Sequence, residues 1–165
     1  GELLLLPENI DELSLRVHKG EKFEYVFFWG HKTFNQKRCL SNWYEDSPFM
    51  MDNIKWRTSE HAFMYLKARY FEDWKSCVKI IECVSPSDAK KIGRRVKNFD
   101  KDAWDGDVSH SCMRDVVYEK FSQNDDIRSF LLSLHGKVIV EASPYDKIWG
   151  IGYAENDSNI QNVDN

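Results

Sequence analysis

The chain has 165 residues, of which 42% are apolar and 14% aromatic, and its net charge is −4. This length suits one domain with a single core, and no apolar run approaches the roughly 20 residues of a membrane-spanning helix. The negative charge argues against broad, non-specific binding of nucleic acid, because such binding neutralises many phosphates with lysine and arginine. Any phosphate-bearing ligand must therefore be bound locally.

The sequence favours an intracellular protein, in the cytoplasm or the nucleus. The leucine run Leu3–Leu6 follows a glutamate, has no basic flank and ends at Pro7, so it does not fit a signal peptide. None of the four cysteines belongs to a C-x-x-C pair, and a chain of this length does not need disulfides. We expect a reducing compartment, no membrane association and no evident protein partner.

The first third of the chain predicts little regular structure. Residues 1–20 have only weak helical spacing and are expected to form an irregular arm. The segment 23–29, FEYVFFW, is rich in β-formers and is closed by Gly30, which predicts a buried strand at the centre of a small sheet. Residues 31–46 are loop-like, yet they hold a dense group of polar and aromatic side chains of the kind that lines sites: Arg38, Asn42, Trp43 and Tyr44.

A hairpin and a run of helices are predicted next. Residues 49–56 should form the hairpin, since Asp52-Asn53 can supply the positive φ of a tight turn. A helix then starts at about Thr58. Four further helices are predicted: one capped by Asp73 with a buried stripe of Trp74, Cys77, Val78 and Ile81, one from Ser85-Pro86 to about Lys97, one from Asp100 to Ser122, and one capped by Asn124 and ending near Gly136.

The end of the chain adds a second strand and a loop. Residues 138–142 predict a buried strand, and SPYDKIWGIG after it is a loop marked by proline and glycine. The sum is an α+β fold: a mostly helical single domain with a small sheet built from distant strands.

The stretch 56–71 combines a clear helical pattern with buried charge. On a helix, Glu60, Phe63, Met64, Lys67 and Phe71 share one face, which should be the buried one. The carboxylate and the ammonium then lie roughly 10 Å apart along the axis. They are either an ion pair at the rim of the face or groups whose pKa values are shifted to suit acid/base or nucleophilic chemistry.

Motifs exclude several classes of site. There is no P-loop, no G-x-G-x-x-G, no G-x-S-x-G and no H-E-x-x-H. His61 stands beside Glu60, but no second ligand follows four residues later, so a metal site is disfavoured and no cofactor is expected.

Other residues allow two interpretations each. Asp146 is either a turn aspartate or a catalytic carboxylate. The basic run 90–97 is either a solvated face or a phosphate contact through Arg94 or Arg95. The same holds for four tryptophans, which either belong to the core or stack on a base: Trp43, Trp56, Trp104 and Trp149.

Several of these segments together resemble the NADAR superfamily, whose fold also occurs in bacterial riboflavin-intermediate N-glycosidases. Each segment alone is a weak signal, but they follow the family's order over about 110 residues. The segments are LSNW (40–43), WRTSEHAF with K (56–67), VSP with A and GR (84–94), W with M and KF-Q (104–123), LL (131–132) and VE with D-x-x-WG-x-G (140–152).

The resemblance implies a hydrolase that cleaves an N-glycosidic bond between ribose and a guanine-like ring, with residues 21–165 as the catalytic domain. Its substrate would be ADP-ribosylated guanine in DNA or RNA, or a ribosylamino-pyrimidine of riboflavin synthesis. A binding module for ADP-ribose or NAD without catalysis is the alternative from another class. The family's G-x-N-x-L-G segment and closing helix do not occur before Asn165, which leaves the completeness of the pocket open.

The resemblance also assigns roles. Glu60 would transfer protons, Lys67 would attack C1 to form a Schiff base, and Asp146 would act as a second acid/base or orient the ribose. In the rival route water attacks directly, with Glu60 and Asp146 as the carboxylate pair and Lys67 as an electrostatic group. An ionised Glu60 nearby would raise the pKa of Lys67, which opposes nucleophilic attack. The expected substrate-binding residues are Arg38, Asn42, Trp43, Trp56, Arg94, Trp104, Trp149 and Gly150.

Overall fold

The computed structural model describes residues 6–7, 9–31 and 35–141, and the chain divides into two compact units, 1–41 with 131–165, and 42–130. No helix in the described part is long and apolar enough to cross a membrane. The elements confirm the predicted α+β class. In chain order they are α1 (Ile10–His18), β1 (Glu24–Phe28), a 3-10 helix (Gln36–Leu40), β2 (Phe49–Met51), β3 (Ile54–Trp56), α2 (Ser59–Tyr70), α3 (Trp74–Glu82), α4 (Pro86–Gly93), α5 (Lys101–Trp104), α6 (Asp107–Ser122), α7 (Asp125–Ser133) and β4 (Lys137–Glu141).

The first unit contains the sheet of distant strands. β1 and β4 pair in parallel, with Tyr25 opposite Val138 and Phe27 opposite Val140. Both predicted strands form, apart from residue 142, which lies outside the described residues, but the second is mostly half-buried where burial was predicted. The prediction of a buried central strand is wrong: β1 has β4 as its one neighbour among the described residues, and most of its side chains are half-buried.

The N-terminal arm contains a helix, so the prediction of irregular structure is wrong for residues 10–18. Asn9 caps α1 by accepting the N–H of Glu12 at 2.8 Å. Glu12 stands in the first turn and Arg16 in the last, where each charge opposes the helix dipole, and the two form an i, i+4 ion pair. Capping and charge placement therefore offset the weak apolar pattern.

The second unit is built around α2, which packs against α3, α4, α6 and β3. Because α2 has neighbours on several sides, it is buried beyond the predicted stripe. Glu60, Phe63 and Met64 are buried as expected, whereas Lys67 and Phe71 are half-buried. The additional buried residues of α2 are Ser59, His61, Ala62 and Ala68.

Local signals in this unit are confirmed. Asp52 and Asn53 take φ values of 54° and 61°, as the β2–β3 turn requires. The side chains of Thr58, Asp73 and Ser85 cap α2, α3 and α4. Each of these signals acts within four residues of sequence, and so it can be read without knowing the tertiary structure.

The buried face of α3 was mispredicted. Cys77 and Ile80 are buried at 4% and 0% exposure, while Trp74, Val78 and Ile81 are 41–58% exposed. The apolar residues form one stripe that spans about 160° at 100° per residue, with Val78 at one edge and Ile80 at the other. Packing against α2 and α4 buries the Ile80 edge.

Two predicted helices are shorter than expected. α4 ends at Gly93 instead of Lys97, although Ala89 and Val96 are both buried. The helix predicted from Asp100 to Ser122 is two helices, because Gly106 interrupts it with φ 85° and ψ −127°. A residue with a side chain rarely adopts that conformation. α7 follows Asn124 as predicted and ends at Ser133.

Candidate active site

Glu60 lies in the first turn of α2, where neighbouring groups fix its backbone. Thr58 caps the helix, because its hydroxyl oxygen accepts the backbone N–H of His61 at 3.2 Å. The Glu60 N–H donates to the carbonyl oxygen of Asn42 at 3.0 Å. Glu60 is 9% exposed. The predicted acid/base residue is therefore buried on a helix end that the LSNW segment contacts through its backbone.

His61, the next residue, is a structural histidine. Its Nε2 lies 3.2 Å from the carbonyl oxygen of Cys83 and its Nδ1 lies 2.8 Å from the hydroxyl of Thr58. Since a carbonyl oxygen only accepts, Nε2 donates and Nδ1 accepts from the hydroxyl, which is the arrangement of a neutral imidazole. Burial is the main cause that lowers the pKa of His61 below its ordinary value. His61 thus links the start of α2 to the end of α3.

Lys67 lies two turns further along α2 and is half-buried. Its Nζ stands 4.4 Å from the centre of the Phe99 ring, a distance typical of a cation–π contact. Within the described ranges no carboxylate lies within 4 Å of this ammonium. The charge of Lys67 is therefore shielded from water by an aromatic ring without being neutralised by an ion pair there.

The surroundings of Lys67 lower its pKa and so raise the fraction of neutral amine. Burial lowers the pKa of Lys67 below its ordinary value, and this effect exceeds those of Asp105 and Glu60, whose carboxylates raise it. Arg94 lowers the pKa further. The Glu60 carboxylate raises the pKa of Lys67, as expected, but desolvation lowers it by more. Lys67 consequently loses its proton more easily than a lysine in water.

An aromatic cluster surrounds this part of α2. The Trp104 ring is 5% exposed and lies 5.5 Å from Phe63 and 6.2 Å from Phe71, centre to centre. Phe71 in turn meets Phe99 edge to face at 5.4 Å. Trp104, a predicted substrate-binding residue, therefore belongs to the packed support of the Lys67 side of the helix.

Arg94 is held near Lys67 by the close packing of α4 on α2. Gly93, the last residue of α4, lies so close to Met64 that a Cβ at this position would overlap the Met64 sulfur. Arg94 follows as the C-cap residue and is exposed. Only glycine permits this approach without displacement of Met64, and so the G-R pair in the VSP…GR segment has a structural basis.

The remaining predicted residues are more dispersed. Trp56 is 1% exposed, and its indole N–H donates to the Met51 carbonyl at 3.0 Å. Trp43 is half-buried, with Lys90 Nζ 5.9 Å from its ring centre. Arg38 is half-buried in the 3-10 helix of the first unit. Asp146, Trp149 and Gly150 lie outside the described residues.

A cavity of about 500 Å³ is a separate feature of the second unit. Neither Glu60 nor Lys67 lines it, and Trp56 is the predicted substrate-binding residue that does. Its lining residues are Glu45, Pro48, Lys55, Trp56, Arg57 and Val84. This cavity and the predicted catalytic pair therefore do not coincide among the described residues.

Three residues of this region were missed by the sequence analysis. His61 was considered only as a metal ligand, although a threonine three residues earlier is a signal for a cap that also binds the ring. Phe99 contacts Lys67 from outside α2, and the charge of Asp105 raises the pKa of Lys67 without an ion pair. No local pattern predicts that contact, because it depends on how the segments after α4 and α5 pack.

The fold has a close counterpart among solved structures. The NMR structure of the Escherichia coli protein YbiA superposes with a TM-score of 0.68 and 25% sequence identity, covering 87% of this chain and 80% of that chain. This likeness supports the α+β class.

Sequence relatives agree with this counterpart. N-glycosidase R617 of Acanthamoeba polyphaga mimivirus is 39% identical over 141 residues, 80% of either chain. N-glycosidase YbiA of Escherichia coli K12 is 35% identical over 106 residues, 64% of this chain and 63% of the relative. Protein irg-1 of Caenorhabditis elegans is 34% identical over 132 residues, 79% of this chain and 62% of the relative.

The family model of the NADAR domain matches residues 27–165 as one domain. The chain therefore belongs to the NADAR family. This confirms the resemblance drawn from the ordered segments and the single-domain α+β prediction.

Proposed function

We propose that this chain hydrolyses the N-glycosidic bond between ribose and the exocyclic amine of guanine, with ADP-ribosyl guanine in DNA or RNA as its substrate. The reaction class is supported by the relatives named N-glycosidase, so the chain is a hydrolase acting on N-glycosyl bonds. The observation behind the mechanism is the desolvated Lys67 amine on the same helix as the buried Glu60.

The bond itself explains why an amine is useful. When ribose is attached through an exocyclic amine, a proton from Glu60 to the ring oxygen opens the sugar and leaves an iminium at C1. Neutral Lys67 adds to C1, one of its protons passes to the base nitrogen, and the base leaves as a neutral amine. A lysine with a lowered pKa has more neutral amine available for that addition.

Hydrolysis of the lysine Schiff base completes the cycle. Water adds to C1 and passes one proton to the Lys67 nitrogen, and the Glu60 carboxylate takes the proton of the new hydroxyl as Lys67 departs as a neutral amine. The products are the free aldehyde form of the sugar and the unmodified base, and both catalytic residues return to their starting protonation states. Asp146 would supply a second carboxylate or orient the ribose hydroxyls.

The site's surroundings suit a phosphorylated, aromatic substrate. Arg94 is an exposed cation whose charge acts on Lys67, and we propose that it meets a phosphate of ADP-ribose. Asn42 and Trp43 lie in the segment that contacts the backbone of Glu60. The remaining assignments are Arg38, Trp56, Trp104, Trp149 and Gly150, which we propose as supports or walls of the substrate pocket.

A substrate comparison tests the proposal. The protein is incubated with an oligonucleotide carrying ADP-ribosyl guanine and, separately, with a ribosylamino-pyrimidine phosphate, and released sugar is measured. Release from the oligonucleotide that is lost in Glu60→Gln is the expected result. Release from the pyrimidine alone would reassign the substrate to a riboflavin intermediate. Release from neither, with ADP-ribose still bound, would contradict catalysis and identify a binding module.

A further inference from the structure

Phe99 belongs to no helix or strand, yet its ring contacts the Lys67 ammonium. Its ring centre lies 4.4 Å from Nζ, and the ring is 44% exposed. Phe71 meets the same ring edge to face at 5.4 Å. The exposed fraction shows that Phe99 is not simply a core residue, so its position over Lys67 needs a cause within the loop.

The loop between α4 and α5 is fixed at two points just before Phe99. Val96 is buried at 6% exposure. The backbone N–H of Lys97 donates to Asp73 Oδ2 at 2.9 Å. Asn98 then takes a φ of 61°, in the left-handed region that asparagine tolerates better than most residues. This turn places Phe99 next to Lys67.

Asp73 anchors this loop to α3. Its side chain caps α3 by accepting the Ser76 N–H at 3.2 Å, and it also accepts the Ser76 hydroxyl at 2.6 Å. Its own N–H donates to the Ala68 carbonyl at 2.9 Å, next to Lys67 on α2. The Lys97 N–H is the first cause that lowers the pKa of Asp73. One buried residue therefore joins α2, through its backbone N–H, to α3 and the loop, through its carboxylate.

We propose that Phe99 is a positioning residue for Lys67: its ring, held by the tether between Asp73 and Lys97, fixes the ε-amino group and keeps water from it. The inference rests on the proposed function in giving Lys67 a catalytic task. The Phe99 ring does not itself touch the reacting bond in this account.

The ring has two opposing effects, and substitutions separate them. The π-face attracts the ammonium, which favours the protonated form. The bulk of the ring excludes water, which favours the neutral amine. Leucine keeps most of the bulk without the π-face, whereas alanine removes both. The charged groups that act on Lys67, namely Glu60, Arg94 and Asp105, are unchanged in both variants.

Lysine reactivity measures this without any substrate. The full chain is labelled with trace acetic anhydride from neutral to alkaline pH, and each lysine peptide is quantified by mass spectrometry. Lys101, whose side chain is 79% exposed, is the internal reference. In the wild type and in Phe99→Leu, Lys67 should lose its proton at lower pH than Lys101. In Phe99→Ala, neutral-pH labelling of Lys67 should fall by about threefold or more.

A tether variant tests the second half of the inference. Asp73→Ser keeps an N-cap side chain for α3 but shortens the group that reaches Lys97. Its Lys67 labelling should fall in the same direction as in Phe99→Ala. Asn9→Ala, which removes the cap of α1 in the first unit, is the matched control and should leave Lys67 labelling unchanged.

The outcomes separate this inference from the proposed function. An unchanged Lys67 profile in a folded Phe99→Ala protein, or a change of the same size in Asn9→Ala, would overturn the positioning role. Where substrate is turned over, Phe99→Ala should lower kcat at neutral pH with little change in KM and move the acidic limb of the pH–rate profile upward. If the predicted labelling change occurs but neither substrate is hydrolysed, the proposed function is refuted and the positioning role of Phe99 stands.

Discussion

Two turns of α2 hold titratable groups whose pKa values both fall, for different reasons and with different consequences. At the first turn His61 is 1% exposed, and both ring nitrogens have partners in Thr58 and Cys83. At the third turn Lys67 is half-buried, with an aromatic ring as its recorded neighbour. A lowered pKa alone therefore does not distinguish a structural group from a reactive one.

The difference lies in how the buried polar atoms are satisfied. Hydrogen bonds to both nitrogens make His61 part of the architecture, because removing it would leave a carbonyl and a hydroxyl without their partner. Within the described residues the Lys67 ammonium has a ring contact but no ion pair, so its burial is a cost to folding. Such a cost is expected where a function uses the group.

The largest expected effect is on catalysis at Lys67. Lys67→Met keeps the length and apolar stem of the side chain but removes the amine. We expect hydrolysis to fall at least about 1,000-fold while the melting temperature stays equal or rises, since a desolvated charge is lost. Initial rates and thermal unfolding of the same preparation provide both readouts. Lys79→Met, on the surface of α3, is the control, and an equal loss of activity there would point to a general effect of lysine removal.

The next effect is on stability at His61. His61→Ala should lower the free energy of unfolding by about 2–3 kcal/mol, because it leaves buried hydrogen-bonding groups unpaired and opens a cavity. Urea unfolding measures the change, with the exposed His110→Ala as the matched variant. A stability loss in His110→Ala as large as that in His61→Ala would show that the two hydrogen bonds of the His61 ring have no special structural role.

A smaller effect is expected at the break between α5 and α6. Gly106→Ala forces a side chain into φ 85° and ψ −127°, which should lower the free energy of unfolding by about 1–2 kcal/mol. Because Asp105 precedes the break, the Lys67 labelling profile should also move. Ser111→Ala within α6 is the control for the backbone change. An unaltered stability in Gly106→Ala would show that the break is not imposed by this glycine.

The smallest effect is the pH dependence that His61 gives to stability. The pKa of His61 is lower in the folded than in the unfolded chain, so its contribution is complete above the ordinary value of 6.5 and is lost as the pH falls below it. The slope cannot exceed about 1.4 kcal/mol per pH unit for one proton. Unfolding free energies of the wild type and His61→Gln should therefore converge as the pH falls. Parallel curves would show that His61 does not titrate with unfolding.

Much of the fold was predictable where the signal is local. The Asp52-Asn53 turn, the start of a helix at about Thr58 and the caps at Asp73 and Ser85 depend on backbone chemistry within a few residues, and all were predicted. The buried face of α3 and the break at Gly106 were not, because a wide apolar stripe or one glycine allows several outcomes that only packing resolves.

The candidate site divides in the same way. Glu60 and Lys67 follow from helical spacing, since seven residues place both on one face. The contact of Phe99 with Lys67 and the hydrogen bond of Lys97 to Asp73 join distant segments, and no periodicity encodes them. The role of Asp146 stays a prediction, since it lies outside the described residues.

The central claim is that the Lys67 amine attacks the sugar, and trapping tests it most directly. Borohydride is added while the protein turns over an oligonucleotide bearing ADP-ribosyl guanine, and the adduct is located by peptide mass spectrometry. The account predicts a reduced sugar adduct on Lys67 that is absent from Lys67→Met. Turnover without an adduct, together with activity retained in Lys67→Met, would contradict it and favour direct attack by water.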